Sequence, residues 1–341
     1  MIKALGYAAG SPGSPMQPFD FERRAVRSQD VQIDILYCGV CHTDLHYVKN
    51  YWGSTVYPVV PGHKMVGRVV KTGRDVRGFK EGDIAGFGPL IDSCQHCEEC
   101  DRGLEQYCLN WTTSTFNDRD RDGNITYGGY SNRIVVSEKF ALKIPRGLTP
   151  AAAAPLICAG ITVYSPLRRW NAGPGRRIGI AGIGGLGHLG VEMARAMGAH
   201  VTAITGSRWK VQDAPRLGAD EVIPAWDKKA MEAREGSLDL IVSTIPVNHD
   251  VNPYMDLLRR DGTLVVLGVF EPLEPPPDSG PLAYRRRSLA ESIIGGISET
   301  REMLEFCAAN DISPDIEVIP IQDIERAFKS IVNREVKYRF L

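Results

Sequence analysis

The chain has 341 residues, 43% of them hydrophobic and 24% charged, a composition typical of a folded protein with roughly two domains. Its 40 basic and 41 acidic residues give a net charge of −1, which argues against a nucleic-acid-binding protein. The N-terminus lacks a long apolar segment and prolines interrupt the longest uncharged run, 148–167, so neither a secretory signal nor a membrane span is predicted. We therefore expect a cytoplasmic protein that binds neither membranes nor nucleic acid.

The first third of the chain has the pattern of a β-rich domain. Val31–Cys38 alternates apolar and polar residues, and short β-branched runs follow at 65–73, 83–87 and 132–144. Glycine and charged turns separate these runs. The pattern predicts a compact barrel or sandwich.

After about residue 151 the pattern changes to strands that alternate with helices. The predicted strands are 177–182, 200–205, 221–225, 238–245 and 262–268, and the predicted helices are 187–198 and 253–260. This alternation is typical of a parallel, doubly wound sheet.

The last part of the chain has a mixed pattern. Three consecutive prolines predict that 271–284 is a loop. An amphipathic helix is predicted at 297–310 with Ser298 as its N-cap. Short strands are predicted at 316–321 and 336–341.

Four cysteines lie close together in a polar loop. Cys94, Cys97, Cys100 and Cys108 fall within fifteen residues, and four thiolates can surround Zn²⁺ as a closed, structural tetrahedral site. Two alternatives are four reduced core cysteines and an iron–sulfur cluster. The polarity of the loop argues against the first, and the seven-residue gap before the last cysteine argues against the ferredoxin spacing. The loop therefore predicts a structural zinc site.

Three further segments carry possible metal ligands, but their spacing alone does not connect them. They are CGVCHTDLH at 38–46, the pair Gly62-His63, and Cys158 in an apolar stretch. A single cysteine or histidine of this kind is often an ordinary packed residue.

Taken in order, these motifs resemble a known family. CGVCHTDLH, GH-x3-G, the four-cysteine loop, LICAGITVYSPL and GIGGLGH are similar to the zinc-dependent medium-chain alcohol dehydrogenases. The branch they resemble contains the cinnamyl alcohol dehydrogenases and the bacterial broad-range NADPH aldehyde reductases. The resemblance covers nearly the whole chain, down to the terminal VKYRF.

The resemblance implies an α/β fold with two domains. A β-rich, chaperonin-10-like catalytic zinc domain would comprise 1–156 and 296–341, and a Rossmann doubly wound parallel-sheet domain would comprise 157–295. The extended sheet near 262–270 and 288–298 is where this family pairs its subunits, so a homodimer is expected.

The resemblance also assigns roles to residues of the zinc segments. Cys41, His63 and Cys158 match the ligands of the catalytic zinc, with the fourth position open to water or substrate. Thr43 matches the hydroxyl that takes the substrate proton, His46 the group that passes it towards solvent, and Asp44 the acceptor that orients His63. Cys38 is expected to be a packed thiol.

Lys64 is a departure from the family, which normally has glutamate after the ligand histidine. That glutamate lies near the zinc and can ligate it, whereas an ammonium would repel it. We expect zinc to bind, with its exchange or the reaction rate altered.

A glycine-rich turn between a predicted strand and a predicted helix indicates a dinucleotide site. Gly182 permits the tight turn, Gly184 the approach of a pyrophosphate, and Gly187 the close packing of the helix. The alternative is a glycine-rich turn that binds nothing. The intervening residues expected in the site are Ile183, Gly185 and Leu186.

The end of the next strand favours NADP(H) over NAD(H). The segment contains Thr205, Ser207, Arg208 and Lys210 and has no carboxylate before Asp213. Hydroxyls and cations suit a 2′-phosphate, although solvated surface cations would have the same pattern. The resemblance adds further residues to the cofactor groove: Thr162, Thr244, Gly268, Ser292 and Ile294.

These expectations combine into one predicted activity and two alternatives. The predicted protein interconverts primary alcohols and aldehydes with zinc and NADP(H), mainly as an aldehyde reductase of broad aromatic or aliphatic range. A zinc- and nucleotide-binding homologue that has lost turnover through Lys64 is the first alternative. A zinc-free quinone reductase is the second, and the presence of all three ligands argues against it. Trp52 and Trp111 are either pocket walls or ordinary packed residues.

Overall fold

The computed structural model describes residues 1–268, 271–333 and 339–341. The chain divides into two compact units, the first formed by Met1–Cys158 with Gly295–Leu341 and the second by Ala159–Ile294.

The first unit is built on a five-stranded antiparallel sheet. The strands of the whole first unit are β1 (Ile2–Ala8), β2 (Gln17–Arg23), β3 (Asp30–Cys38), β4 (Met65–Thr72), β5 (Ile84–Phe87), β6 (Leu90–Ser93), β7 (Thr112–Ser114), β8 (Arg133–Ser137), β9 (Leu142–Lys143), and in the tail β16 (Ile316–Glu317) and β17 (Arg339–Phe340). The main sheet has the order β8-β3-β4-β5-β9, and β1-β2, β6-β7 and β16-β17 form two-stranded pairs. Strand β3, an interior strand of this sheet, buries Val31 and Ile33 completely, which explains its apolar–polar alternation.

The helices of the first unit are short, the longest having 13 residues. They are α1 (His42–Lys49), α2 (Glu98–Asp101), α3 (Pro150–Pro155), α10 (Ile297–Ala309) and α11 (Ile324–Val332). A core in this unit joins Leu45 of α1, Val60 of the loop before β4, and Phe328 of α11. This packing connects the start of the unit to the tail of the chain.

The second unit contains one six-stranded parallel sheet. Its strands are β10 (Arg177–Ala181), β11 (His200–Thr205), β12 (Glu221–Pro224), β13 (Leu238–Ser243), β14 (Leu258–Leu267) and β15 (Ser288–Ser292). Its helices are α4 (Ile161–Arg169), α5 (Gly187–Ala196), α6 (Arg208–Asp213), α7 (Lys228–Glu232), α8 (Asn252–Leu257) and α9 (Ser279–Arg285). The strand order β12-β11-β10-β13-β14-β15 is that of a Rossmann fold, so the predicted fold class is confirmed.

Three local predictions differ from the structure. The helix expected at 297–310 has Gly296, not Ser298, at its N-cap, because the N–H of Ile297 donates to the carboxylate of Glu105, 3.0 Å away. The helix expected at 253–260 ends at Leu257, where β14 begins. Helix α9 forms at the end of the proline-rich loop because Asp278 caps it.

One stretch of the described residues is long and apolar enough to cross a membrane by length and composition. It runs over the twenty residues Pro150–Arg169, and 78% of its most apolar window is buried in the protein. A core helix of a globular protein has the same character. Residues 269–270 and 336–338 of the predicted strands lie outside the described residues.

Arg23 joins β2 to the segment 127–133. Its buried guanidinium donates to the carbonyl oxygens of Tyr127, Gly128 and Arg133 at distances of 2.5, 2.9 and 2.8 Å. One buried side chain therefore supplies hydrogen bonds to three backbone acceptors of the segment, two of which also accept from the hydroxyl of Ser131.

Replacing Arg23 with methionine should destabilise the protein, because each of these carbonyl groups loses a charge-assisted hydrogen bond. We expect the free energy of unfolding to fall by about 3 kcal/mol in urea denaturation. Arg74→Met is the matched control, since that side chain is 88% exposed and should change stability by less than about 0.5 kcal/mol. Equal effects of the two variants would contradict this account of Arg23.

Candidate active site and metal centres

The four-cysteine loop brings its sulfurs together. The sulfur atoms of Cys94, Cys97, Cys100 and Cys108 all lie within 4.8 Å of one another. The side-chain amide of Asn110 donates to the sulfur of Cys94 at 3.2 Å. Although burial opposes it, backbone hydrogen bonds lower the pKa of Cys108 to about 6. Four such sulfurs fit a tetrahedral zinc ion with no open position.

Asp44 lies at the centre of a second cluster. It occupies the first turn of α1 and is completely buried. One carboxylate oxygen accepts from the backbone N–H of Cys41 at 2.9 Å and from the hydroxyl of Tyr130 at 3.0 Å. The other accepts from the N–H of Gly62 at 3.1 Å and lies 3.0 Å from Nδ1 of His63. The carboxylate thus connects three segments that are distant in sequence.

These contacts determine the state of the His63 ring. Burial disfavours charge on the imidazole, but the charges of Asp44 and Cys158 outweigh it and raise the pKa of His63 well above its usual value. Phe116 stacks on the ring with a centroid distance of 5.9 Å. With Nδ1 held by Asp44, the other ring nitrogen, Nε2, is the one available to a metal.

The two remaining candidate ligands contact each other and His63. Cys41 is the N-cap of α1, and Cys158 lies in a π-helical turn at Leu156–Gly160. A hydrogen bond with Cys158 holds the pKa of Cys41 well below its usual value, and the charges of Lys64 and His63 act in the same direction. The same contact, together with burial, raises the pKa of Cys158 to about 12. Two sulfurs and one imidazole form a donor set that fits a catalytic zinc ion.

The predicted proton-transfer residues lie on the same helix. Thr43 follows the first residue of α1, and its hydroxyl oxygen lies 3.6 Å from the sulfur of Cys41. The ring of His46, one turn further along, lies 4.9 Å from the ring of Trp52. Trp111, the other aromatic residue of interest, is 37% exposed, with the guanidinium of Arg121 4.9 Å from its ring.

The dinucleotide turn has the geometry that a close backbone approach requires. Gly182 follows β10 with φ of +84°, and a Cβ at Gly187 would lie 1.9 Å from the carbonyl oxygen of Gly182. A Cβ at Gly184 would meet nothing within 4 Å, so the turn is open there. The hydroxyl of Thr244 donates to the carbonyl of Gly182 at 2.5 Å. This is the switch point between β10 and β13, where such sheets bind ligands, and the cradle fits a dinucleotide.

The other predicted cofactor residues all lie in the second unit. Ile183 is buried after the turn, Leu186 precedes α5, Thr205 ends β11, Ser207 precedes α6, Gly268 follows β14, Ser292 ends β15, Ile294 ends the unit, and Thr162 lies in α4. Arg208 and Lys210 begin α6, where they lie 5.9 and 5.2 Å from the rings of Trp226 and Trp209. The N–H of Ser207 donates to the hydroxyl of Thr205 at 3.2 Å.

Two residues of the zinc region were missed by sequence reasoning. Tyr130 supplies a hydrogen bond to Asp44, and Phe116 covers the ring of His63. Tyr130 is separated from Asp44 by 86 positions, and no local pattern marks such a contact. The aromatic residue after the glycine pair at 128–129 is the one sequence feature that points to it.

Comparisons with known proteins agree with this architecture. Residues 27–146 match the alcohol dehydrogenase GroES-like domain, and residues 185–309 match the zinc-binding dehydrogenase domain. The sequence is 48% identical to aldehyde reductase YahK of Escherichia coli, over 100% of this chain and 97% of that protein. It is also 48% identical to NADP-dependent alcohol dehydrogenase C 1 of Mycolicibacterium smegmatis, over 100% of this chain and 98% of that protein.

The chain belongs to the zinc-dependent medium-chain alcohol dehydrogenases. The structure of a cinnamyl alcohol dehydrogenase from Sorghum bicolor superimposes with a TM-score of 0.95 at 39% identity, over 99% of this chain and 96% of that one. A related enzyme from Helicobacter pylori, complexed with NADP(H), has a TM-score of 0.92 at 36% identity, over 99% and 97% of the two chains. The predicted family and enzyme class are confirmed, and the alternative of a homologue without turnover is not supported.

Asp44→Asn should weaken the zinc site, because the amide nitrogen cannot accept and leaves two of the four donors without an acceptor. We expect zinc retention and kcat/KM to fall roughly 10- to 100-fold, measured by metal analysis after dialysis and by steady-state kinetics. Tyr130→Phe removes only one of the donors and should cost about 1 kcal/mol of stability. Tyr107→Phe, in a side chain that is 45% exposed, is the control. An Asp44→Asn enzyme with normal zinc content and activity would contradict this role for Asp44.

Proposed function

We propose that this enzyme interconverts primary alcohols and aldehydes with NADP(H), acting mainly as an aldehyde reductase of broad aromatic or aliphatic range. The observation that carries the proposal is that Cys41 and Cys158 contact each other and His63. The imidazole of His63 is in turn held by Asp44. Relatives named aldehyde reductase, NADP-dependent alcohol dehydrogenase and cinnamyl alcohol dehydrogenase support the substrate class.

In this proposal Cys41, His63 and Cys158 hold a zinc ion, whose chemistry is to polarise an aldehyde or alcohol oxygen as a Lewis acid. The glycine turn at 182–187 and the segment at 207–210 would hold NADP(H), which would supply the hydride for aldehyde reduction and accept it in alcohol oxidation. Asp44 accepts a hydrogen bond from Nδ1 of His63, so that the lone pair of Nε2 can ligate the zinc. The four-cysteine group holds a second zinc that orders its loop.

Two residues of α1 move the proton in the proposed reaction. The hydroxyl of Thr43, next to the sulfur of Cys41, donates a proton to the product alcohol oxygen during aldehyde reduction. His46 lies one turn further along the helix and passes the replacement proton from solvent. In alcohol oxidation the proton moves in the opposite direction.

The cofactor preference is assigned to Ser207, Arg208 and Lys210. Arg208 and Lys210 bring two cations, and Ser207 a hydroxyl, to the segment after β11. A 2′-phosphate accepts charge-assisted hydrogen bonds from such groups, whereas the diol of NAD(H) needs a carboxylate. The enzyme should therefore use NADPH in preference to NADH.

The test is the oxidation of NADPH and NADH with benzaldehyde, cinnamaldehyde and an aliphatic aldehyde. Arg208→Ala should lower kcat/KM for NADPH roughly 10- to 100-fold, because a charge-assisted contact is lost, and change the value for NADH little. Arg216→Ala is the control, since its guanidinium pairs with Asp213 at 2.9 Å. An equal loss with both cofactors would contradict the phosphate assignment, and no aldehyde turnover with either would contradict the function.

We also propose that the enzyme is a cytoplasmic homodimer. Strand β15 is the last strand of its sheet, so one edge is available to continue the sheet into a second subunit. Sedimentation equilibrium should give twice the mass of one chain. A concentration-independent monomer would contradict the proposed dimer.

A further inference from the structure

Lys64 is a fully buried cation in the zinc region. It follows His63 directly and has no exposed surface. Its ammonium nitrogen, Nζ, has no hydrogen-bond partner among the described residues. A buried charge without a partner is costly, so its presence needs a physical explanation.

The backbone around Lys64 makes room for this side chain. A Cβ at Gly39 would lie 3.2 Å from Cδ and 3.3 Å from Cβ of Lys64, which is tighter than most real contacts. The N–H of Gly39 also donates to the carbonyl oxygen of Lys64 at 2.9 Å. The aliphatic stem therefore occupies space that a glycine leaves open, and the stem is packed in place.

The charge of Lys64 acts on the proposed ligands. Lys64 is adjacent to His63 in the chain, and its stem packs against Gly39, two residues before Cys41. Its ammonium is therefore buried beside the segments that carry two of the proposed ligands. A positive charge buried there stabilises the thiolate ligands when the metal is absent and repels the cation when it is bound.

We propose that Lys64 makes the catalytic zinc site a low-retention site, from which zinc leaves faster than it leaves the four-cysteine site. The occupancy of the catalytic site, and with it the activity, then follows the concentration of free zinc. The four-cysteine loop, 94–108, contains one arginine and no lysine. That arginine, Arg102, is 57% exposed and pairs with Glu98 and Glu99, so it does not present a buried charge to the sulfurs. The proposal rests on the proposed assignment of Cys41, His63 and Cys158 as ligands.

The experiment measures zinc release directly, without an activity readout. Zinc-loaded enzyme is mixed with excess 4-(2-pyridylazo)resorcinol, and the absorbance of the zinc complex is followed in time. The wild type should release one zinc per subunit in a fast phase and a second in a phase at least roughly tenfold slower. Cys158→Ser should abolish the fast phase, which assigns it to the catalytic site.

Removal of the charge should slow the fast phase. Lys64→Met keeps the volume of the stem, and we expect release from the catalytic site to slow roughly tenfold or more. Lys64→Glu should slow it further, because a carboxylate attracts the ion. The slow phase from the four-cysteine site is the internal control and should not change. Lys71→Gln, at an exposed lysine of β4, the strand that directly follows Lys64, is the matched control.

The outcomes separate this inference from the proposed function. Two zinc ions that leave the wild type at equal rates, or unchanged release in Lys64→Met, would overturn the inference alone. Faster release from Lys64→Met than from the wild type would also overturn it, because Lys64 would then be helping to hold the metal. A second zinc that binds neither the wild type nor Lys64→Met at saturating zinc would overturn the ligand assignment itself. Because the first of these measurements needs only the wild type, the inference stays testable if a variant fails to fold.

Discussion

The buried carboxylate of Asp44 is the contact on which the zinc region of the first unit depends. Removing a carboxylate from water is costly unless hydrogen bonds replace the lost hydration, and four donors do so here. The donors come from the start of α1, the loop before β4, and the segment around Tyr130. Because all of them must reach the same two oxygens, the positions of Cys41 and His63 are fixed by the protein before a metal binds.

The second unit uses a different constraint to prepare its site. Gly187 approaches the carbonyl of Gly182 so closely that any side chain would clash, and Thr244 donates to the same carbonyl from the end of β13. The turn is therefore held by backbone contact and one hydroxyl, and Gly184 is left with open space beside it. The carboxylate of Asp44 orders side chains, as the ligation of a metal requires. The glycine turn instead exposes backbone N–H groups, as the binding of a phosphate requires.

Local patterns in the sequence were sufficient where the interacting residues are close in the chain. The four cysteines lie within one loop, and the glycine turn lies between one strand and one helix, so spacing alone indicates both sites. Contacts between distant residues were not predictable in this way. Glu105 caps the helix at Ile297 across 192 positions, and Tyr130 reaches Asp44 across 86, and neither contact leaves a periodic trace. The family resemblance connected the proposed zinc ligands because it supplied the long-range information that the residues lack.

The charges near His63 explain how a buried lysine is compatible with this site. In the metal-free protein the positive charge of Lys64 is opposed by the Cys41 thiolate and the Asp44 carboxylate, so the region is closer to neutral than two anions alone would be. A glutamate at the same position would add a third negative charge, which favours a bound cation. The lysine therefore shifts the balance: it stabilises the empty ligand set and destabilises the loaded one, while Asp44 preserves the geometry of both. Retention of the metal can change in this way without any change in the ligands themselves.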